Sequence, residues 1–531
     1  MKSNPWFMII GLILLVLLAF GLGRAMMPVT PALTHDTATY LNAAENLVSD
    51  GRLQIDMTLT TDQQASRRFC AYMPGYPIFL SGLLRLGISE QAALYGLSLA
   101  GLALTALLSA ALVWTLAHSL PAALLTGAAL LIFQPLLNVL TYALTETLYI
   151  PATLGLILVV VFYVRTARPG WKVNTALVLL MAAATMLRLV GGMLVAIAGG
   201  VLVLRSLLAK RPRRALAEVG LTALSQIPSF VALGANYIET GRFYCATNSA
   251  GWEIERTTPG WLVRLLFEQF KPDLSLGLGF RSFAENMPIV ILAAAAALIA
   301  LIVLIYVWRN RSQFITAFRD LVNWPVLAML VYLVLYFGFF FALGNSWAQW
   351  DFPRYFVPAY PFIFVLLGLA LTALFRRLKS RLVRGLMGLV LAGILLAYTQ
   401  TSLSAIAAAP LGRGFETAAV RDHPAMAYLR QNLRDSDLLF STRESTLWYY
   451  FRRPVRRAQF LNQVTCQQLQ QPPNGGRSIF VLFPEGNYAG DPVSAENESW
   501  FSSWIAPCGT VTDHQVFKDT AFYIVEPLQK P

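Results

Sequence analysis

Long apolar runs separated by short polar stretches fill the chain up to residue 403. Runs at 6–23, 92–117, 122–140, 148–164, 175–187, 192–208, 216–237, 288–308, 324–343, 356–375 and 386–401 predict about eleven bilayer-crossing helices, each near the ~20 residues the hydrocarbon core requires. The run at 175–187 is short, so that helix is expected to tilt or break. The first run is long for a signal-peptide core, and Gly21-Leu22-Gly23-Arg24 is a poor cleavage site, so it is expected to remain as the first span. Beyond residue 403 the pattern becomes that of a soluble chain. Residues 422–433 predict an amphipathic helix with Pro424 in its first turn. Residues 438–441 and 478–483 read as short buried strands, and 511–517 with 521–525 as a closing hairpin. The expected architecture is a polytopic α-helical membrane domain, 1–403, followed by a small α/β soluble domain, 404–531.

Two connections are long, 24–91 and 238–287. In the first, Tyr40, Leu41, Ala44, Leu47 and Val48 recur at helical spacing, with Asp36 at the start and Gly51 placed to stop the helix. That spacing predicts an amphipathic helix lying on the membrane surface. A second element follows from Cys70 to Leu80; its apolar stretch to Leu86 is too short to span, has Arg85 near its end, and reads as interfacial or re-entrant. In the other connection, residues 256–271 carry Trp261, Arg264, Phe267 and Lys271 and read as a third interfacial helix.

Composition supports the membrane reading. The chain of 531 residues is 56% hydrophobic and 13% charged, about half the charge of an ordinary soluble domain, so much of its surface must face lipid. The net charge of +13 suggests nucleic acid at first sight. Its source is short loops holding Arg165, Arg168 and Lys172; Lys210, Arg211, Arg213 and Arg214; Arg309, Arg311 and Arg319; and Arg376, Arg377, Lys379, Arg381 and Arg384. With the N-terminus inside, all of them fall on the cytoplasmic side, as the positive-inside rule requires, and nucleic acid is discarded. The same topology puts the long connections, the tail and all four cysteines outside, where disulfides form. Cys466 with Cys508, and Cys70 with Cys245, are the expected pairs, although four cysteines allow three connectivities.

At the first long connection the chain resembles the GT-C superfamily of membrane glycosyltransferases. The likeness is to the branch of protein O-mannosyltransferases and the aminoarabinose transferase of lipid A (family 39-like). Four segments carry it: His35-Asp36 after the first span, Pro74-Gly75-Tyr76-Pro77, Thr145-Glu146-Thr147-Leu148-Tyr149, and Arg354-Tyr355-Phe356-Val357-Pro358. The resemblance implies transfer of a sugar from a polyprenyl-phosphate donor to a lipid, glycan or protein acceptor at the outer face. It implies a multi-pass protein of a bacterial inner (plasma) membrane, with a cytoplasmic N-terminus and a periplasmic C-terminal domain. Some relatives place a basic residue just before the Pro of the second surface helix; here Tyr72-Met73 stand there, with Arg67 and Arg68 earlier.

Asp36 is the candidate general base for the acceptor's hydroxyl or amine, against the plainer reading of a helix N-cap. Glu146, at the mouth of a span, is the second catalytic candidate, against an ordinary interfacial acid. Arg188 and Arg354 are candidate anchors for the leaving phosphate, since a guanidinium fork matches phosphate oxygens; an ion-paired or snorkelling arginine is the plainer reading of Arg188, and Asp351 a candidate partner for Arg354. His35, Tyr40, Arg67, Arg68, Tyr72, Tyr76 and Tyr355 complete the candidate substrate-binding set. No cofactor is established by the sequence; a divalent cation on the phosphate, with Asp36 and Glu146 as candidate ligands, stays open. In the tail, Tyr449, Tyr450, Arg452 and Arg453 read either as a sugar or phosphate contact or, more plainly, as a surface cluster. Two rival functions remain: a flippase for a lipid-linked sugar and a non-catalytic assembly protein. A flippase concentrates its charged residues at mid-membrane depth, whereas here they gather at the span mouths.

Overall fold

Helices dominate because the apolar runs must satisfy their own backbone hydrogen bonds inside lipid. A computed structural model of the chain describes residues 5–28, 30–57, 68–245, 323–343, 354–378, 380–409, 418–457, 476–483, 501, 505–506, 509–517 and 520–527. The chain divides into two units. The first comprises Met1–Pro31, Leu94–Phe230 and Ala250–Pro410, the second Ala32–Ala93, Val231–Ser249 and Leu411–Pro531.

In chain order the helices are α1 (Pro5–Met26), α2 (His35–Ser49), α3 (Gly75–Arg85), α4 (Glu90–Ala117), α5 (Leu120–Leu131), α6 (Gln134–Leu140), α7 (Glu146–Arg165), α8 (Trp171–Leu187), α9 (Gly191–Leu208), α10 (Pro212–Thr240), α11 (Trp324–Leu343), α12 (Tyr360–Arg377), α13 (Arg381–Ala408), α14 (Pro424–Asn432) and α15 (Glu444–Phe451). Every expected span within the described residues is helical; the run at 288–308, the interfacial segment 256–271 and the pair Cys466–Cys508 lie outside them. Among the described residues, seven helices are long and apolar enough to cross a membrane. A bent pair makes an eighth, and α8 and the apolar part of α11 are shorter.

That bent pair corrects one expectation. The run at 122–140 is not a single straight span but α5 and α6, bent by 65°. Pro135 stands in the first turn of α6, where it has no N–H to give to α5 and disfavours helical geometry at Gln134. The break is packed: the buried Phe133 ring lies 5.0 Å from Tyr360, 5.1 Å from Phe364 and 5.5 Å from Tyr398. Close helix approach elsewhere depends on glycine. A Cβ at Gly101 of α4 would run into the carbonyl of Thr147 in the first turn of α7.

The second unit joins α2 and α3 to a five-stranded sheet. The strands are β1 (Leu438–Ser441), β2 (Val455–Arg457), β3 (Ser478–Leu482), β4 (Gly509–Phe517) and β5 (Thr520–Pro527), in the order β2-β1-β3-β5-β4. β1 pairs parallel with β2 and β3, while β3–β5 and β5–β4 are antiparallel. β1 and β3 are buried along their whole length, as central parallel strands must be. Phe440 and Phe480 stack at 4.4 Å in the core beside Phe501 and Tyr523. The strands and the terminal hairpin lie where the pattern placed them; α15 and β2 were not anticipated.

The first connection is bound into this unit. Asn42 and Asn46 of α2 donate to Asp56 at 2.8 and 3.2 Å, and Met57 bridges to Val455 at the sheet edge. The Cys70–Cys245 disulfide is present, with a Cys245 N–H to Cys70 carbonyl bond of 3.0 Å beside it. It closes a separation of 175 residues, much of it already restrained by bilayer-crossing helices. Cys70→Ser with Cys245→Ser is therefore expected to cost about 2–4 kcal/mol, the ordinary disulfide range rather than its upper end. Thermal denaturation in detergent checks this, and a melting temperature equal to the wild type would contradict it.

A carboxylate pair gives this unit a pH signature. Arg452, which caps α15 at φ 51°, bonds Glu45 of α2 at 2.9 Å and Glu90 of α4 at 2.6 Å, and its guanidinium lies 4.7 Å from the Trp448 ring. Burial, then the hydrogen bond with Glu90, pushes the Glu45 carboxyl from 4.5 up to about 8, against the pull of Arg452. The folded state thus holds this proton more tightly than the unfolded chain. Its contribution to stability is complete below the ordinary carboxyl range and is lost as pH rises from 4.5 towards about 8. Melting temperatures should fall across that window, and Glu45→Gln should flatten the decline; equal slopes for both proteins would refute the assignment. Arg452 is thus occupied by acids, and Arg453 bonds Asp435 and the Arg434 carbonyl.

Candidate active site

α2 begins with a cap that decides what Asp36 does. Thr34, not Asp36, is the N-cap: its hydroxyl accepts from the Thr37 N–H at 3.3 Å while the Thr37 hydroxyl accepts from the Thr34 N–H at 3.1 Å. This corrects the capping reading of Asp36. The carboxylate sits in the first turn, where a negative charge suits the helix dipole, and is not consumed by the cap. The Tyr72 hydroxyl donates to Asp36 Oδ1 at 2.6 Å. Tyr72 in turn packs edge-on against Tyr40 at 5.2 Å, and Tyr40 lies 5.2 Å from Tyr76 and 6.2 Å from Phe69. Tyr40 and Tyr76 are buried, so these two expected substrate contacts form the aromatic support behind Tyr72. Pro74 and Gly75 start α3 and thereby set Tyr76 into that support.

The neighbouring His35 turns towards the C-terminal sheet. Its Nδ1 lies 2.8 Å from Ser445 Oγ and 3.6 Å from Glu444 Oε1 on α15. Arg68 reaches the end of α10, donating to Asn236 at 3.1 Å and pairing with Glu239 at 3.0 Å. Arg67 lies outside the described residues.

The remaining candidates cluster in the first unit. Glu146 opens α7 and is fully buried. Its Oε1 accepts from Arg354 Nε at 2.8 Å and from Arg188 Nη1, while Oε2 accepts from the Thr145 hydroxyl at 3.0 Å. Arg188 occupies the extended link between α8 and α9, with its guanidinium 5.9 Å from the ring centres of both Tyr149 and Tyr355. The link is tight because Gly191 lies against the Ala184 carbonyl, where a Cβ would collide. Tyr336 donates to the Tyr355 carbonyl at 2.5 Å, and the Tyr149 and Tyr332 hydroxyls meet at 3.4 Å. Two guanidinium groups thus meet one carboxylate in an aromatic surround. Glu146 is a partner of Arg354; Asp351, the expected one, lies outside the described residues.

Sequence reasoning did not reach Tyr332, Tyr336, Glu444 or Ser445. A signal existed for the tyrosines: two hydroxyl-bearing rings four residues apart in an otherwise apolar helix ask for polar partners. None existed for Ser445. Among the described residues, no group of three or more His, Cys, Asp or Glu stands together as a metal site.

No protein-family model matches the chain, and no curated protein matches it in sequence. Solved structures do match its coordinates. ArnT from Cupriavidus metallidurans bound to undecaprenyl phosphate superposes with a TM-score of 0.59 at 15% identity, covering 98% of both chains. The apo state of that protein gives 0.58 at 16% identity, over 96% of this chain and 97% of the other. This is a GT-C-like fold. The oligosaccharyltransferase of Archaeoglobus fulgidus, in complex with Zn and sulfate, matches with a TM-score of 0.53 at 15% identity, over 84% of this chain and 62% of that one.

Proposed function

We propose that this chain is a membrane glycosyltransferase that moves a glycosyl group from a polyprenyl-phosphate donor to a lipid, glycan or protein acceptor. The observation that carries the reading is the Asp36–Tyr72 pair: an acid in the first turn of a surface helix, uncommitted to the cap and oriented by a tyrosine hydroxyl at 2.6 Å. The likeness to ArnT bound to undecaprenyl phosphate supports the donor class.

In the proposed reaction the acceptor's hydroxyl or amine attacks the anomeric carbon. The new bond forms as the bond from that carbon to the phosphate oxygen breaks, and the electron pair leaves with the polyprenyl phosphate. Asp36 takes the acceptor's proton. Tyr72 fixes the carboxylate, and Tyr40 and Tyr76 fix Tyr72. Negative charge grows on the leaving phosphate, and a fixed guanidinium would stabilise it; Arg188 and Arg354 are the candidates for that role, with Glu146 fixing the two forks rather than moving a proton. Transfer is placed on the non-cytoplasmic side, because the arginine- and lysine-rich loops fall on the opposite one.

The test uses purified protein in lipid vesicles and a panel of polyprenyl-phosphate hexoses and pentoses, presented with and without lipid extract as acceptor source. Release of polyprenyl phosphate that depends on acceptor is the expected result. Donor that crosses the bilayer uncleaved would replace this reading with the flippase.

A further inference from the structure

We propose that the C-terminal domain is a working part of the Asp36 site, with Ser445 and Glu444 as positioning residues that act through His35. The inference rests on the reading of Asp36 as the proton acceptor.

It starts from the sheet. The chain leaves β1, forms α15 and returns as β2 on one side of β1, whereas the next parallel strand, β3, lies on its other side. Such a reversal opens a crevice beyond the carboxyl ends of the two central strands, the place where open α/β sheets hold their ligands. Here Thr442 zips the strand ends together: its hydroxyl accepts from the Phe483 N–H at 2.8 Å and donates to the Phe483 carbonyl at 3.1 Å. α15 starts two residues later, and its first turn meets His35 of α2.

The contact is polar where adhesion alone would be served better by apolar groups. Glu444 is 2% exposed and Ser445 3% exposed. Burying a carboxylate and a hydroxyl costs free energy that a well-packed apolar pair avoids. What they provide is direction. With Nδ1 held 2.8 Å from Ser445 Oγ and 3.6 Å from Glu444 Oε1, the ring plane is set and Nε2 becomes the atom through which the imidazole meets donor or acceptor. His35 is the residue before Asp36 in the same helical turn, so the hold on His35 is also a hold on the carboxylate's backbone. The Arg452 bond to Glu45 fastens the same helix to the domain at another point, and the Met57–Val455 bridge and the Arg452 bond to Glu90 fasten the chain that follows it. These contacts carry the fastening, which leaves Ser445 and Glu444 to orient the ring.

The experiment is a double-mutant cycle in the full-length protein, with kcat and KM read from polyprenyl phosphate release on the same hexose and pentose panel. Ser445→Ala should lower kcat about tenfold, the scale of one lost hydrogen bond, with KM for the donor unchanged. In a His35→Ala background it should add nothing further, because it acts through that ring. Ser445→Thr should restore kcat. Glu444→Gln, which keeps the shape, should lower kcat in the same manner and guards against misfolding of any single variant. Wild-type kcat in Ser445→Ala and Glu444→Gln, or losses that multiply with His35→Ala, would overturn the inference, as would losses that follow the melting temperature alone. Asp36→Asn run alongside separates the failures: if it turns over normally, the function reading falls and takes this one with it; if it is inactive, the cycle judges the domain by itself.

Discussion

Asparagine in place of Asp36 should lower turnover by about 10²–10⁴-fold, the span expected when a positioned base is removed. The replacement is nearly isosteric. Its amide oxygen still accepts from the Tyr72 hydroxyl, which lies 2.6 Å from Asp36 Oδ1, and Thr34 still caps α2, so fold and donor binding should survive. Only the capacity to take a proton is lost. The loss should therefore appear in kcat, with KM for the polyprenyl-phosphate sugar little changed, as expected for an interaction made in the transition state. Tyr72→Phe should be milder, about tenfold, because it removes the hydrogen bond that orients the carboxylate and leaves the base itself. Rapid-quench measurement of polyprenyl phosphate release decides the matter. A fully active asparagine variant would remove Asp36 from the chemistry.

Alanine at Glu146 is expected to destabilise the protein by about 3–5 kcal/mol, as when one partner of a buried charge network is deleted. Glu146 is fully buried, and both of its arginines keep little exposure, with relative side-chain areas of 14% for Arg188 and 16% for Arg354. Without the carboxylate, two neighbouring guanidinium groups lose the acid they share. Arg188→Met and Arg354→Met should each cost less than Glu146→Ala, since Glu146 retains the other arginine in either case. They should, however, weaken binding of polyprenyl phosphate, because each takes away a cation. Melting curves in detergent test the stability order, and titration with undecaprenyl phosphate tests the binding. A Glu146→Ala protein as stable as the wild type would show that the cluster is not held as described.

Much of the scaffold was legible from local pattern. Apolar runs of span length mark helices because lipid leaves the backbone no other partner. The alternation of Tyr40, Leu41, Ala44, Leu47 and Val48 marked α2, and Gly51, at φ 69°, ended it as expected. The mostly apolar segments at β1 and β3 announced short buried strands. Pairing of Cys70 with Cys245 was expected but not fixed, because all four cysteines were put on one side and three connectivities stayed open. The break after α5 was harder, since Pro135 lies within a run whose hydrophobicity never falls, and hydropathy is blind to direction.

The sequence by itself determined most of the helices and four of the five strands, and it marked Asp36, Glu146, Arg188 and Arg354 as chemically costly residues needing partners. Only the tertiary structure decided who those partners are. Arg188 and Arg354 stand 42 and 208 positions from Glu146, and Ser445 stands 410 from His35. Periodicity reports which face of a helix is apolar, because that depends on neighbours three and four residues away. It carries no record of which other helix will cover that face, since that choice is made by the packing of all of them together.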